Sequence, residues 1–209
     1  LSALTTGDEN TAIGRGAGAA ITTGGLNTAV GKYALNNVNT GGNNVAVGRN
    51  SGAAITTSSG SVFIGKDAGA VSVTGNQNIG IGLTALGGAA TTGDNNIAIG
   101  ANAGDALTSA TNDVLIGKSA GGALNVGGDN IAIGLNALGA ATNTGGVVAI
   151  GFEAGYVATG ATGLTAVGYQ ALGSTTDGLY NTAIGYQALA TTTFGDKNTA
   201  VGYQAGKAY

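Results

Sequence analysis

An Ile or Val followed by glycine returns at a fixed interval along this chain, and no other property of the sequence constrains its fold as tightly. The glycines are Gly14, Gly31, Gly48, Gly65, Gly82, Gly100, Gly117, Gly134, Gly151, Gly168, Gly185 and Gly202. They stand 17 residues apart throughout, except for the 18 residues from Gly82 to Gly100. Copies at a short constant period describe a solenoid, a quasi-linear array in which each unit packs on its neighbours. One array over residues 1–209 is therefore expected, not several domains.

Read in columns counted from that glycine, each copy has the same grammar. The preceding residue is always Ile or Val, as in Ile13, Val47 and Ile184. Two before is mostly Ala, with Phe63, Gly80 and Leu115 as exceptions, and three before is always β-branched. This is a short strand, with glycine closing it where the backbone turns. Four before is usually Asn: Asn10, Asn27, Asn44, Asn78, Asn96, Asn130, Asn181 and Asn198, an amide ladder along one corner if the coils stack.

Three after the glycine comes Ala, replaced by Ser51 in one copy, and the fourth is only Gly or Leu. A second strand of Ala, Thr and Ile character is expected next, then a Thr/Gly/Asn/Asp turn. Helices are excluded because so short a unit holding several glycines leaves no room for a helix pair. The expected fold class is all-β: a parallel β-roll, or β-solenoid, of about twelve 17-residue coils. At ~4.8 Å per coil it makes a rod about 55–60 Å long. The extra residue between Gly82 and Gly100 is expected in the turn at Thr91 to Asn95 or as a bulge.

Two columns behave as if they share core volume. Leu in the fourth column goes with a small seventh residue (Leu86 with Ala89, Leu138 with Ala141, Leu172 with Thr175, Leu189 with Thr192). Gly goes with Ile21, Ile55, Leu107 or Leu124, while Leu35 with Val38 breaks the rule. The first strand is apolar on both faces, yet a coil interior buries only one, so a second covering layer and self-association along the rod are expected. Leu1 to Gly7 reads as the tail of a preceding copy and the sequence stops within a thirteenth, as in a segment of a longer array or a subunit that stacks end to end.

Composition sharpens what such an array does. With 43% hydrophobic and 8% charged residues the chain has the reverse of a disordered signature. Absent proline and no three-residue glycine period exclude collagen. There is no Cys or His, so thiolate chemistry and the commonest general base are missing. A net charge of −3 argues against nucleic acid as partner, and no apolar run approaches the ~20 residues of a membrane helix. No cofactor, metal or catalytic residue is assigned, and the chain is expected not to be an enzyme.

The motifs that mimic chemistry have simpler explanations. Gly60 to Lys66 matches a phosphate-binding loop as far as the lysine, but Asp67 stands where Ser or Thr belongs, and Asn112 to Ser119 lacks the leading glycine. Lys66 and Lys118 share the column after the repeat glycine with Arg15, Lys32 and Arg49, which reads as a basic ladder. Gly127-Gly128-Asp129 is an isolated fragment of a calcium-binding nonapeptide. Asp177, Asp196 and Glu153 form no evident catalytic pair.

Two further ladders could face a partner. Phe152, Tyr169, Tyr186 and Tyr203 follow the glycine in four successive copies, and Glu153, Gln170, Gln187 and Gln204 come next. An aromatic row beside an amide row suits sugars; a stacked ladder stabilising the roll or its contacts is the preferred account. Thr22, Thr56, Thr108, Thr142, Thr159, Thr176 and Thr193 form a partial Thr array of the kind that binds ice, interrupted by Asn39, Val73 and Asn125.

The near-identical copies Asn181-Thr-Ala-Ile-Gly-Tyr-Gln-Ala-Leu189 and Asn198-Thr-Ala-Val-Gly-Tyr-Gln-Ala-Gly206 resemble the repeats of phage tail-fibre and related surface proteins. The looser Asn-x-Ala-Ile/Val-Gly-x-x-Ala pattern is similar to the head repeats of YadA-like trimeric autotransporter adhesins, whose period is shorter. The resemblance implies a left-handed roll associated as a homotrimer, extracellular or on a virion, with a role in reach and attachment. The expected function is the shaft of such a fibre, with a host-surface glycan or protein as a further partner. A trimeric adhesin and a self-polymerising extracellular filament are the alternatives.

Overall fold

A computed structural model of the chain describes residues 1–176, 178–191 and 195–206. Its strands, each three residues long, are β1 (Thr11–Ile13), β2 (Thr28–Val30), β3 (Val45–Val47), β4 (Val62–Ile64), β5 (Ile79–Ile81), β6 (Ile97–Ile99) and β7 (Val114–Ile116). They continue as β8 (Val126–Gly128), β9 (Ile131–Ile133), β10 (Asn143–Gly145), β11 (Val148–Ile150), β12 (Thr165–Val167), β13 (Thr182–Ile184) and β14 (Thr199–Val201). All but β8 and β10 form one 12-stranded sheet in chain order. Every pairing in it is parallel and column-matched, Ala12 on Ala29 and Ile13 on Val30, for instance. The protein is a parallel β-solenoid whose sheet advances one strand per coil.

Alternation along each strand decides what faces inward. The middle residue is buried in every strand of the main sheet except the first and last. The β-branched residues on either side point out and are half-buried or exposed. Glycine is obligatory after the strand for two reasons. At Gly65 φ is +133°, a region side chains avoid, and an added Cβ would lie 2.4 Å from the carbonyl oxygen of Gly82 in the next coil.

The second strand expected in every copy is not there. Beyond the glycine the backbone runs through turns, and among the described residues a second ladder forms only where β10 pairs with β8, continued by single bridges from Gly128 to Thr111 and from Gly145 to Thr162. Left-handed residues break the extended conformation. The second and fourth positions after the glycine have positive φ in every copy, including non-glycine residues such as Asn50 (+55°), Gln170 (+51°) and Leu138 (+51°). The hydrogen bonds of this face still run from coil to coil, as in Leu35 N–H to the Ser51 carbonyl at 3.0 Å, so the backbone is satisfied without a regular sheet.

The extra residue of the long coil makes a bulge that ends at the start of the Thr91 to Asn95 turn. Register is regular at Leu86, whose N–H donates to Ala103, and again at Thr91, whose carbonyl accepts from Val73 N–H. The insertion is therefore absorbed between Gly87 and Thr91, where the Thr91 N–H turns back to the Ala89 carbonyl and its Oγ1 donates to the Leu107 carbonyl, one residue out of column. Glycine is required at Gly87, where a Cβ would fall 2.2 Å from the Asp67 carbonyl oxygen, while Gly88 packs against the Asp105 carboxyl. That burial raises the Asp105 pKa, opposed by a hydrogen bond from the Gly88 backbone.

The core is one continuous stack of Ala with inserted Leu, Ile and Phe. The fourth and seventh columns meet in it. At Gly52 a Cβ would lie 2.9 Å from Leu35 Cδ2 of the preceding coil and 3.1 Å from Ile55 Cδ1 of its own. Gly104 is enclosed in the same way by Leu86, Leu107 and Leu115. Gly69, whose seventh residue is only Ser72, has its space filled by Phe63 instead. Thr192 and Thr193 of these columns lie outside the described residues, as does Asp177.

Candidate functional site

Stacking turns single residues into rows, so each candidate site is a column. The Asn column is a hydrogen-bonded spine. Asn27 N–H and Nδ2 both donate to Asn10 Oδ1 (3.0 and 3.1 Å), while Asn27 Nδ2 also donates to the Gly41 carbonyl at 2.9 Å. Asn44 repeats the pattern on Asn27. Ser61 joins Asn44 to Asn78, and Asn78 accepts from Asn96 N–H. Asp113 joins Asn96 to Asn130. Val147 and Leu164 carry no side-chain polar atom, so the spine resumes only where Asn198 binds Asn181. Asn44, Asn78, Asn96 and Asn130 are fully buried, which gives the column a structural duty and removes its interior rungs from contact with any partner.

The aromatic and amide rows are built by neighbouring positions of the same turn. Phe152, Tyr169, Tyr186 and Tyr203 stack face to face, with centroids 4.9, 4.9 and 5.4 Å apart and interplanar angles of 8–12°. Beside them Gln170 Nε2 donates to Glu153 Oε2 (2.8 Å), Gln187 Nε2 to Gln170 Oε1 (2.9 Å) and Gln204 Nε2 to Gln187 Oε1 (3.0 Å). The four residues of the amide row hold φ of 50–52°, which keeps their side chains parallel.

This geometry limits what the two rows offer a ligand. Ring faces between successive coils are spent on one another, so a sugar lying along the row would meet ring edges and phenol oxygens, not faces. The amide row borders a groove of about 270 Å³ that also includes Tyr156, Ser174 and Thr191. Sequence columns gave no sign of that groove, because Tyr156 is a single aromatic in a column otherwise small or polar.

The remaining candidates resolve into structure. Residues Val62–Ile64 and Val114–Ile116 of the two phosphate-loop look-alikes are strands, and neither leads into a helix. Lys66 Nζ instead sits 2.7 Å from Asp67 Oδ2, and this pairing holds the Asp67 carboxyl below the usual carboxylate range. The Thr hydroxyls turn back onto the next coil, Thr22 to the Asn39 carbonyl (3.2 Å), Thr56 to Val73 (3.3 Å) and Thr108 to Asn125 (3.1 Å). Hydroxyls so engaged are poorly presented to ice. Among the described residues no three His, Cys, Asp or Glu side chains converge, and no helix is long and apolar enough to cross a membrane.

Fold and rows together define a class, a 17-residue-coil parallel β-solenoid whose outward surfaces are linear ladders. Comparison with protein-family models, characterised proteins and solved structures returns no match.

Proposed function

We propose that the chain is a structural shaft of an extracellular or virion fibre, in which copies associate side by side, as a trimer, through the outer face of the main sheet. One observation carries this reading. The residue that follows each strand centre of the main sheet is Ile or Val, half-buried or exposed, and Ile13, Val47, Ile64, Ile150, Ile184 and Val201 of that row are at least 37% exposed. They form one row of Ile and Val over twelve strands, about 55 Å long, beside a second row that is Val or Ile in the middle of the rod and Thr towards both ends. A continuous apolar surface of that extent on a soluble rod marks an association site. A second copy is the natural occupant, since only a surface with the same coil spacing offers ridges that mesh along the whole length.

Attachment is assigned to the fibre as a whole; the rod supplies length and stiffness. The test is mass measurement in solution with electron microscopy, on the parent chain and on Ile99→Glu, which puts a charge at the middle of the outer face. Discrete trimers converted to monomers by the substitution support the reading. Indefinite polymers would favour a filament subunit, and a monodisperse parent monomer would overturn side-by-side association.

A further inference from the structure

Five of the seven Lys and Arg residues of this chain occupy one column, and four of them are consecutive: Arg15, Lys32, Arg49 and Lys66. All four are exposed. Backbone hydrogen bonds tie their coils in direct succession, from Tyr33 N–H to Arg15 O, Asn50 to Lys32 and Asp67 to Arg49, each at 2.9 Å. Farther along the same column the aromatic rings show the step size, 4.9 Å between centroids. The cations are thus set out on a straight line at about that step.

Nothing in the fold asks for them. Other copies place Leu83, Ala101, Leu135 or Phe152 in the same column with the same backbone. Like charges at this spacing repel one another, and the only ion pair among the described residues is Lys66 with Asp67. Lys32 Nζ lies 5.1 Å from the centre of the Tyr33 ring. Asn50, which faces the row from the next position, is neutral and bonded to Asp67. Charge is also segregated along the rod. Residues 1–93 hold these four cations against Asp8, Glu9 and Asp67, whereas the other seven acids all lie beyond. Because screening confines exposed charges to about 8 Å at physiological ionic strength, the local row decides binding, not the net charge of −3.

A second copy does not supply the counter-row, since the ten acids scatter over several columns. Nucleic acid fits poorly. A duplex strand advances ~3.4 Å per phosphate, and the one aromatic at the row, Tyr33, already rests on Gly16, where a Cβ would come within 2.5 Å of its ring. Bases would find no free platform. An extended uronate polymer fits better. It carries one carboxylate per sugar, and a pyranose ring with its glycosidic oxygen spans a length of the same order as a coil, ~4.8 Å.

We propose that the Arg15–Lys32–Arg49–Lys66 row is a binding track for an extended acidic polysaccharide lying along the rod axis, its carboxylates in step with the coils. This does not depend on how copies of the rod associate, so binding and assembly stand or fall separately.

Binding of a size-defined oligogalacturonate to the full chain, measured by calorimetry, tests it. Dextran, single-stranded DNA and anionic phospholipid vesicles are run in parallel. The expected result is binding of the oligouronate alone, weakened about tenfold between 50 and 200 mM salt as a few counterions are released. The triple variant Arg15→Gln/Lys32→Gln/Arg49→Gln should lose at least tenfold in affinity, and Lys118→Gln, an isolated cation of the same column, less than twofold. Circular dichroism and melting establish that each variant is folded. Equal affinity for dextran, tighter binding of DNA or vesicles, or an unaffected triple variant would overturn the assignment.

Discussion

Phe63 and Gly80 share one space in the core. They pair directly across β4 and β5, and a Cβ on Gly80 would lie 3.0 Å from Phe63 Cδ1. Both are exceptions in a column otherwise filled mainly by Ala, and each accounts for the other: the ring overflows its own coil into the room that glycine leaves.

Gly80 has no left-handed φ, so its backbone accepts a side chain, and what an added Cβ meets is the Phe63 ring and the Ala85 carbonyl oxygen, each at 3.0 Å. Gly80→Ala alone is expected to cost about 1–2 kcal/mol by overpacking. Phe63→Ala should cost about 3–5 kcal/mol through the cavity it leaves. In the double variant, which restores the common Ala–Ala pair, the two effects should fall short of additivity by about 1 kcal/mol or more. Denaturant midpoints of the four proteins measure this, and strict additivity would show that the residues do not share volume.

Gly52 tests the same idea between the fourth and seventh columns. Leu35, Leu86, Leu138, Leu172 and Leu189 hold the same left-handed conformation with φ of 47–52°, so Leu is admissible to the backbone. What opposes Gly52→Leu is contact with Leu35, Ile55 and Phe63. A loss of about 1–3 kcal/mol is expected, partly recovered by adding Ile55→Ala, which recreates the Leu138–Ala141 arrangement. Unchanged thermal stability in the single variant would refute the packing account.

The period and the parallel sheet were legible because the strand and its glycine recur twelve times, and the shared core volume because its Leu–small and Gly–large pairs recur four times each; recurrence turns composition into geometry. The missing second strand was not. Column letters such as Ala, Gly and Leu do not reveal that the backbone at Gln170 or Leu138 is left-handed, since non-glycine side chains usually avoid that region. The extent of the bulge was hidden for a related reason: Thr91 to Asn95 looks like a loop, yet the Thr91 carbonyl, Gly93 and Asn96 keep the standard column bonds, and the slack is taken up mainly between Gly87 and Thr91. At the candidate site the sequence supplied both ladders and their order. It could not tell that stacking would consume the ring faces, which depends on ring orientation.

Tyr186 lies between two rings, Tyr169 at 4.9 Å and Tyr203 at 5.4 Å. If the row serves chiefly to brace successive coils, Tyr186→Ala should lower stability by about 1–2 kcal/mol, from two lost stacking contacts and the burial they provide. Tyr203→Ala, which removes one contact from a ring 74% exposed, should cost less than half of that. Melting temperatures compare the two, and equal or negligible losses would leave the stack without a bracing role.

Asp113 is the acid in a spine of amides. Its N–H donates to Asn96 Oδ1 (3.1 Å), and its own Oδ1 accepts from both Asn130 N–H and Nδ2 (2.9 Å each). The other oxygen, Oδ2, is buried without a partner. In the neighbouring rungs that position is an Nδ2 donating to the carbonyl fourteen residues on, Asn96 to Ala110 and Asn130 to Thr144; for Asp113 the same offset gives Gly127, so a carboxylate oxygen stands where a donor belongs. Desolvation, aided by nearby Asp129 and opposed by the Asn130 bonds, pushes the Asp113 pKa from 3.8 up to about 6. The folded state therefore binds this proton more tightly than the unfolded chain. Stability is fully favoured below pH 3.8 and declines as pH rises to about 6, above which the fold carries a charged carboxylate at a cost of about 3 kcal/mol. Asp113→Asn supplies the missing donor at every pH. It should raise stability by about 1–3 kcal/mol at pH 8, and the gain should shrink on acidification through pH 6 towards 4. Chemical denaturation of both proteins at pH 4, 6 and 8 measures the difference; a gain independent of pH, or a variant less stable than the parent at pH 8, would show that the Asp113 carboxylate is not strained in the spine.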